Sequence, residues 1–200
     1  VVDGGSDDNT VSIAQRDSRV RVIFSVKGRG IQIARGVEES VGEIVIILHA
    51  DSRLEPHAIT TILHSFHTHP GTVGGSVASR FSSADLRYHL ITALNNFRSL
   101  FTGISFGDQV QFFRRSVLQD HLPKVRLMED IEIALRLKER GSLIVLPSLA
   151  QSSTRRWQKR AYSRNMMMVV GLTALYLVKR RLGLLSADNA EFYEVYYGKN

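Results

Sequence analysis

Apolar positions along the chain fall into two alternating periods. Val20, Val22, Phe24 and Val26 sit two residues apart, the spacing of a strand with one covered face. Ile33, Ala34, Val37 and Val41 then recur at helical spacing, and Gly42 ends that helix. Ile44 to Leu48 is a continuous apolar run between charged ends, short enough for a strand buried on both faces. Pro56 opens a helix with Ile59, Ile62, Leu63 and Phe66 on one side. Thr72 to Phe81 predicts a further strand, in which Gly74-Gly75 marks a bulge or a close approach to a ligand. Leu86, Leu90, Leu94, Phe97 and Phe101 form a helical stripe, and Val110 to Phe113 reads as a short strand. Met128 to Arg140 is an amphipathic helix stopped by Gly141, and Leu143 to Leu146 a last strand before Pro147. Alternation of this kind predicts an α/β fold with a mostly parallel sheet, without internal repeat or low-complexity linker.

One segment departs from the alternation. Met166 to Val178 is apolar for thirteen positions apart from Gly171 and Thr173, short of the roughly 20 that a spanning helix needs. Its basic flanks suit a helix lying in a membrane interface, and a core helix is the other reading. The three consecutive methionines read as adaptable packing. Charge sharpens this picture. The net charge is +7, and residues 153–182 carry Arg155, Arg156, Lys159, Arg160, Arg164, Lys179, Arg180 and Arg181 with no acid. Such a block attracts phosphates, anionic headgroups or nucleic acid, while the plainer reading is a solvated basic helix. Two hundred residues make one domain on length. The absence of cysteine excludes disulfides and thiolate metal sites and fits a reducing compartment. Val1-Val2 runs straight into an acidic turn, so no signal peptide is read there.

Candidate chemistry lies in three acidic turns. Asp3-Gly4-Gly5-Ser6-Asp7-Asp8 and His49-Ala50-Asp51-Ser52 each follow an apolar strand, where open α/β sheets bind ligands. Asp3 can accept from a base or ribose, with Ser6, Asp7 or Asp8 left to cap the next helix. Asp51 offers the hard oxygen that Mg²⁺ or Mn²⁺ shares with substrate phosphates. Glu129-Asp130 opens a helix whose N-terminus favours acids, yet two adjacent carboxylates exceed a cap, and one can act as general base. Gly28-Arg29-Gly30 resembles part of a dinucleotide fingerprint but has Ile33 at the third glycine. His57, His64, His67 and His69 match no zinc spacing and read as surface residues.

Taken in order, Val1 to Asp8, Gly28 to Gly36, His49 to Ser52, Gly107-Asp108-Gln109, Met128-Glu129-Asp130 and Arg155-Arg156-Trp157 resemble a family 2 glycosyltransferase of the GT-A fold. The likeness is greatest to small bacterial radical-SAM/selenodomain-associated members. It implies a mostly parallel sheet flanked by helices, with residues 1–155 as catalytic domain and 156–200 as a basic, apolar helical segment packed on it. It also implies a nucleotide-sugar donor, an acceptor hydroxyl and transfer with inversion. Asp3, with Gly4 and Arg29, would contact the nucleotide. Asp51 would hold a Mn²⁺ or Mg²⁺ on the diphosphate, and Arg155, Arg156 and Trp157 would lie beside it. Asp130 would be the base, with Glu129 next to it, and Gly107, Asp108 and Gln109 would shape the acceptor side. His49-Ala50-Asp51 departs from the family's Asp-x-Asp, and Gln151 lies too far ahead of Arg156-Trp157 for its Gln-x-x-Arg-Trp element. The family's first strand and helix would precede Val1, so the chain is expected to be a fragment or to start late. Three readings result: a metal-dependent glycosyltransferase in the cytoplasm or at the inner face of the membrane, a truncated non-catalytic nucleotide binder, or a basic binder of membranes or nucleic acid.

Overall fold

The computed structural model describes residues 1–81, 83, 85–153 and 162–198, with backbone alone at 148, 162, 163 and 165. The chain forms two compact units. In chain order the first elements are β1 (Val2–Asp3), α1 (Thr10–Ala14), β2 (Ile23–Phe24) and α2 (Arg29–Glu38). β3 (Ile44–Ile47), β4 (Ser52–Leu54), α3 (Ala58–Thr68), β5 (Thr72–Phe81) and α4 (Leu86–Thr102) follow. A single 3₁₀ turn, Gly107–Gln109, leads into β6 (Gln111–Arg114), α5 (Arg115–Leu118), α6 (Glu129–Lys138) and β7 (Ser142–Ser152). The last described helices are α7 (Tyr162–Arg181) and α8 (Ala190–Tyr197).

One unit comprises Val1–Val41, Gln119–Glu129 and Met168–Asn200. Its strands β1 and β2 pair in parallel, Val2 with Ile23 and Asp3 with Phe24. The strand predicted over Val20 to Val26 is paired only at those two positions, and Phe24 and Val26 are exposed. Gly30 of α2 needs to be glycine: a Cβ there would stand 2.5 Å from the Val125 carbonyl oxygen and 2.9 Å from Glu129 Cβ. The Gly-Arg-Gly sequence thus serves close helix packing. Tyr176 of α7 meets Phe192 of α8 edge-on at 5.5 Å, and both are buried.

The other unit comprises Gly42–Leu118 and Asp130–Met167. It holds a five-stranded sheet in the order β3-β6-β5-β7-β4. The expectation of a mostly parallel sheet is corrected here: β5 and β7 pair in parallel, but β3–β6, β5–β6 and β4–β7 are antiparallel. A strand covered on both faces reads the same in either direction, so hydrophobic pattern reports burial and not polarity. Val77 follows the rule, being wholly buried with Phe112 and Ile62 in a core that also holds Phe66, Leu146, Leu149 and Ala150. The Phe66 and Phe112 rings meet edge-on at 5.6 Å.

Gly74 and Gly75 answer to neighbouring strands. A Cβ on Gly74 would stand 2.7 Å from the Phe112 carbonyl oxygen, and one on Gly75 would overlap the Ile144 carbonyl. The register of β5 against β7 shifts beside Gly74 and again between Val77 and Ser79. The second shift lies opposite the residues around Pro147, which lets β7 run on through a proline to Ser152. α4 begins at Asp85, whose side chain accepts the Arg87 amide and pairs with the Arg87 guanidinium; these contacts hold its carboxyl at about 2. It ends at Gly103, where φ is 70°. The predicted apolar stripe of α4 faces outward: Leu86, Leu90, Leu94, Phe97 and Phe101 are all exposed, and Ile91 and Ser99 are the buried positions.

Candidate functional site

In the first unit, Asp3 ends β1 and its carboxylate is turned into the loop that follows. One oxygen accepts the Gly5 and Ser6 amides, each at 2.9 Å, and the other accepts Ser6 Oγ at 2.5 Å. Asp3 is not used to cap α1, yet these loop bonds hold its carboxyl below the usual range, the Ser6 hydroxyl most of all. Ser6 and Asp7 do not cap α1; Asn9 stands at the cap position, and the Thr10 amide is met by Asp8 at 2.9 Å. Gly4 lies against Gln32, whose Nε2 donates to the Val2 carbonyl at 3.1 Å. Arg29 and Glu129 come together at 2.8 Å, and the Glu129 side chain has no exposure. Nothing local in the sequence announces that ion pair, because its members lie on separate helices. Met128, just before Glu129, is buried with φ at 68°. A non-glycine residue in this region stores ~1–3 kcal/mol, a strain found most often at functional sites.

In the second unit, Asp51 occupies the tight turn between β3 and β4 and is exposed. Its carbonyl accepts the Ser153 amide at 3.1 Å. Next to it, buried Ser52 Oγ lies 3.0 Å from Ser152 Oγ, and Ser152 Oγ donates to the Asp108 carbonyl at 3.3 Å. The Gly107–Gln109 turn is therefore linked to the Asp51 turn through two hydroxyls. It is also linked to Asp130: the Gly107 amide donates to Asp130 Oδ2 at 2.9 Å, while Asp130 Oδ1 accepts its own helix's Ile131 amide at 2.8 Å. Gln111 Nε2 donates to the Asp130 carbonyl at 2.7 Å.

Asp108 and Gln109, expected on the acceptor side, join a polar cluster whose other members, Ser79, Asn96 and Arg98, the sequence did not single out. Asp108 accepts Ser79 Oγ at 3.1 Å. Burial pushes its carboxyl up, and the nearby Asp130 charge adds to this; Ser79 and Arg98 oppose it. Arg98 is itself pushed down by burial, against the pull of Asp108 and Asp130. Gln109 is fully buried and bonds to Arg98 and Asn96. For Asn96 and Arg98 the sequence signal was three polar residues, Asn95, Asn96 and Arg98, set among apolar positions of α4.

Among the described residues no group of three or more His, Asp or Glu side chains could hold a metal. At its turn Asp51 offers one exposed carboxylate. That fits a cation arriving with a diphosphate, which supplies the remaining oxygens, better than a resident ion. His57, His64, His67 and His69 are exposed. Arg155, Arg156 and Trp157 lie outside the described residues. Among the described residues no helix is long and apolar enough to cross a membrane.

A mixed sheet with helices, and acidic turns after its strands, defines an α/β protein whose structural neighbours are GT-A enzymes. The sequence profile of glycosyl transferase family 2 matches residues 1–122, and the chain belongs to that family. It is similar to S. aureus TarS 1-349, at 13% identity and TM-score 0.60, over 98% of this chain and 59% of that one. The TarS complex with UDP-GlcNAc gives 14% identity and TM-score 0.58, over 76% of this chain and 48% of that one. Glucosyl-3-phosphoglycerate synthase from Mycobacterium tuberculosis, in complex with Mn²⁺, UDP-glucose and phosphoglyceric acid, gives 17% identity and TM-score 0.56, over 84% of this chain and 65% of that one. The chain thus spans about half to two thirds of these structures. The comparison with curated protein sequences gives no match.

The position of Asp108 predicts a dependence of stability on pH. Its folded carboxyl is raised above the ordinary 3.8, so folding favours the neutral form. Below the unfolded value both states are neutral; as pH rises through the folded value, the unfavourable charge is imposed in full. Asp108→Asn should therefore raise the melting temperature near neutral pH and leave it unchanged at about pH 3. Thermal unfolding at both pH values checks this, and a loss of stability at neutral pH would show that the charge is welcome.

Proposed function

We propose that the chain transfers a sugar from a nucleoside-diphosphate donor to an acceptor hydroxyl, with inversion at the anomeric carbon. The observation that carries this reading is membership of glycosyl transferase family 2 across residues 1–122. Neighbours whose complexes hold UDP-GlcNAc, or UDP-glucose with Mn²⁺, support it. Asp130 lies beyond the matched residues, so its part rests on its own geometry.

In this reading Asp130 is the base. One oxygen is held by the Gly107 amide and the other by the Ile131 amide. Two backbone amides thus orient the carboxylate, the positioning that a general base requires. The acceptor oxygen forms its bond to the anomeric carbon while the bond from that carbon to the diphosphate oxygen breaks. Asp130 takes the acceptor proton, and the diphosphate leaves with the electron pair. Gly107, Asp108 and Gln109 form the acceptor side. Asp3, with Gly4 and Arg29, serves the nucleotide, and Glu129, next in the chain to Asp130, pairs with Arg29. Asp51 would hold a Mg²⁺ or Mn²⁺ that offsets the charge on the departing diphosphate. Arg155, Arg156 and Trp157 are assigned to the same diphosphate, whose oxygens suit arginine forks.

An anionic membrane surface is proposed as the place of action. On α7, Met167, Val170, Leu175 and Val178 are exposed on one side, while Leu172 and Tyr176 are buried. A helix that is apolar all round ordinarily has a partner on each side. Arg164 and Arg181 are exposed toward its two ends, and residues 153–187 contain no acid. That charge favours lipid headgroups over a second apolar protein face. Lys179 is partly spoken for, since it pairs with Glu191 at 2.7 Å.

Two substitutions test the transfer. Mn²⁺ with UDP should raise the melting temperature by linkage, and Asp51→Ala should abolish the rise; an undiminished rise removes Asp51 from the metal. Asp130→Asn should keep that rise while lowering turnover of a nucleotide-sugar panel ~10²–10⁴-fold; full turnover would place the base elsewhere. For the membrane, the chain should sediment with phosphatidylglycerol-containing vesicles and not with neutral ones. Val170→Glu with Val178→Glu, both at exposed positions, should end sedimentation without altering the UDP-dependent rise. Equal binding to neutral vesicles, or binding that survives both changes, would sink this placement.

A further inference from the structure

Arg98 lies on α4 with its guanidinium plane over the Phe106 ring, 3.5 Å from the centroid. Nη1 donates to the Ile104 carbonyl at 2.7 Å, and Nη2 donates to Gln109 Oε1 at 3.1 Å. Gln109 Oε1 also accepts the Phe106 amide at 3.2 Å, and Gln109 Nε2 reaches Asn96 Oδ1 at 3.2 Å. One side chain thus touches both ends of the 104–109 segment and the ring between them. A residue that only filled space would not need a planar cation here, because burying one is unfavourable unless its donors are met.

What this bracing fixes is the next amide. Gly107 follows Phe106 directly, and its N–H holds Asp130 Oδ2 at 2.9 Å. We infer that Arg98 is a positioning residue for Asp130, acting through the Gly107–Gln109 turn to aim the carboxylate. The inference rests on Asp130 being the base of the proposed transfer. A backbone amide has no rotamer of its own, so its direction is only as fixed as the turn that carries it. Arg98 fixes that turn at three points: the Ile104 carbonyl, the Phe106 ring and the Gln109 amide. Arg98 further sets a positive charge near both Asp108 and Asp130, so the two carboxylates need not repel one another uncompensated.

Lysine keeps the charge but has neither the plane nor the fork, which makes Arg98→Lys the deciding variant. Amide exchange at Gly107, followed by NMR, should quicken roughly ten-fold, the equivalent of one lost hydrogen bond. Exchange in β5 should not change. Turnover of the nucleotide-sugar panel should fall ~10²-fold in kcat, as for a misplaced catalytic group, with donor KM unchanged. If the lysine variant does not fold, Phe106→Leu removes the stacking ring, keeps the charge and should act in the same direction. Unchanged Gly107 exchange overturns the inference. So does faster exchange with undiminished kcat, which would leave the transfer reading intact. Absence of turnover in the unaltered chain would instead overturn the transfer reading, and the exchange measurement alone would then decide whether Arg98 holds the turn.

Discussion

A primary amide with no exposure must find a donor for its oxygen and an acceptor for its nitrogen inside the protein. Gln109 is such a group. Left unmet, either end would cost ~1–3 kcal/mol. Its oxygen takes the Phe106 amide and Arg98, and its nitrogen reaches Asn96 and the Asn95 carbonyl. Satisfying that one side chain accounts for much of what surrounds it. It explains why α4 carries polar residues on an inner side, why an arginine is half-buried there, and why the chain turns tightly at Gly107–Gln109 before entering β6. The Gly107 amide and the Asp108 carbonyl are then committed to Asp130 and Ser152.

Much of the fold could be read from the order of residues, because burial leaves its period in the sequence. Thr72–Phe81 is a strand over the predicted span, and α6 starts at the Glu129-Asp130 pair. The direction of pairing was not legible, since Phe112 and Val77 are covered on all sides and look alike in a parallel or an antiparallel neighbour. Gly74-Gly75 read as a bulge or a close approach to a ligand; the strand register shifts beside Gly74, and the room there belongs to Phe112 and Ile144. The distinction depends on which strands lie alongside, a matter of long-range contact. α4 shows the limit of periodicity from the other side. Its stripe of leucines and phenylalanines is helical as expected, but spacing cannot say which face is covered.

The candidate site divides in the same way. Asp51 and Asp130 were visible because each stands where a strand or helix begins or ends, a place that regular patterns expose. Asp3 was visible too, but its inward hydrogen bonds were not. The supporting residues were hidden. Arg98, Ser79 and Gln111 act across 11 to 29 residues of chain, and the Arg29–Glu129 pair across a greater separation. A single arginine within a helix ordinarily lies at the surface, and apart from Asn95 and Asn96 nothing in its neighbours marks an inward side. Similarity to TarS at 13% identity carries the fold and leaves such side chains to be read one by one.

The two serines beside Asp51 have a consequence for where hydrogens lie. A hydroxyl owns one proton. Ser152 gives its proton to the Asp108 carbonyl, so in the Ser52–Ser152 contact Ser152 has only lone pairs to offer and Ser52 must be the giver. The pair therefore has a sense, running away from the β3–β4 turn. Ser52 has then spent its proton and cannot turn it toward the neighbouring Asp51.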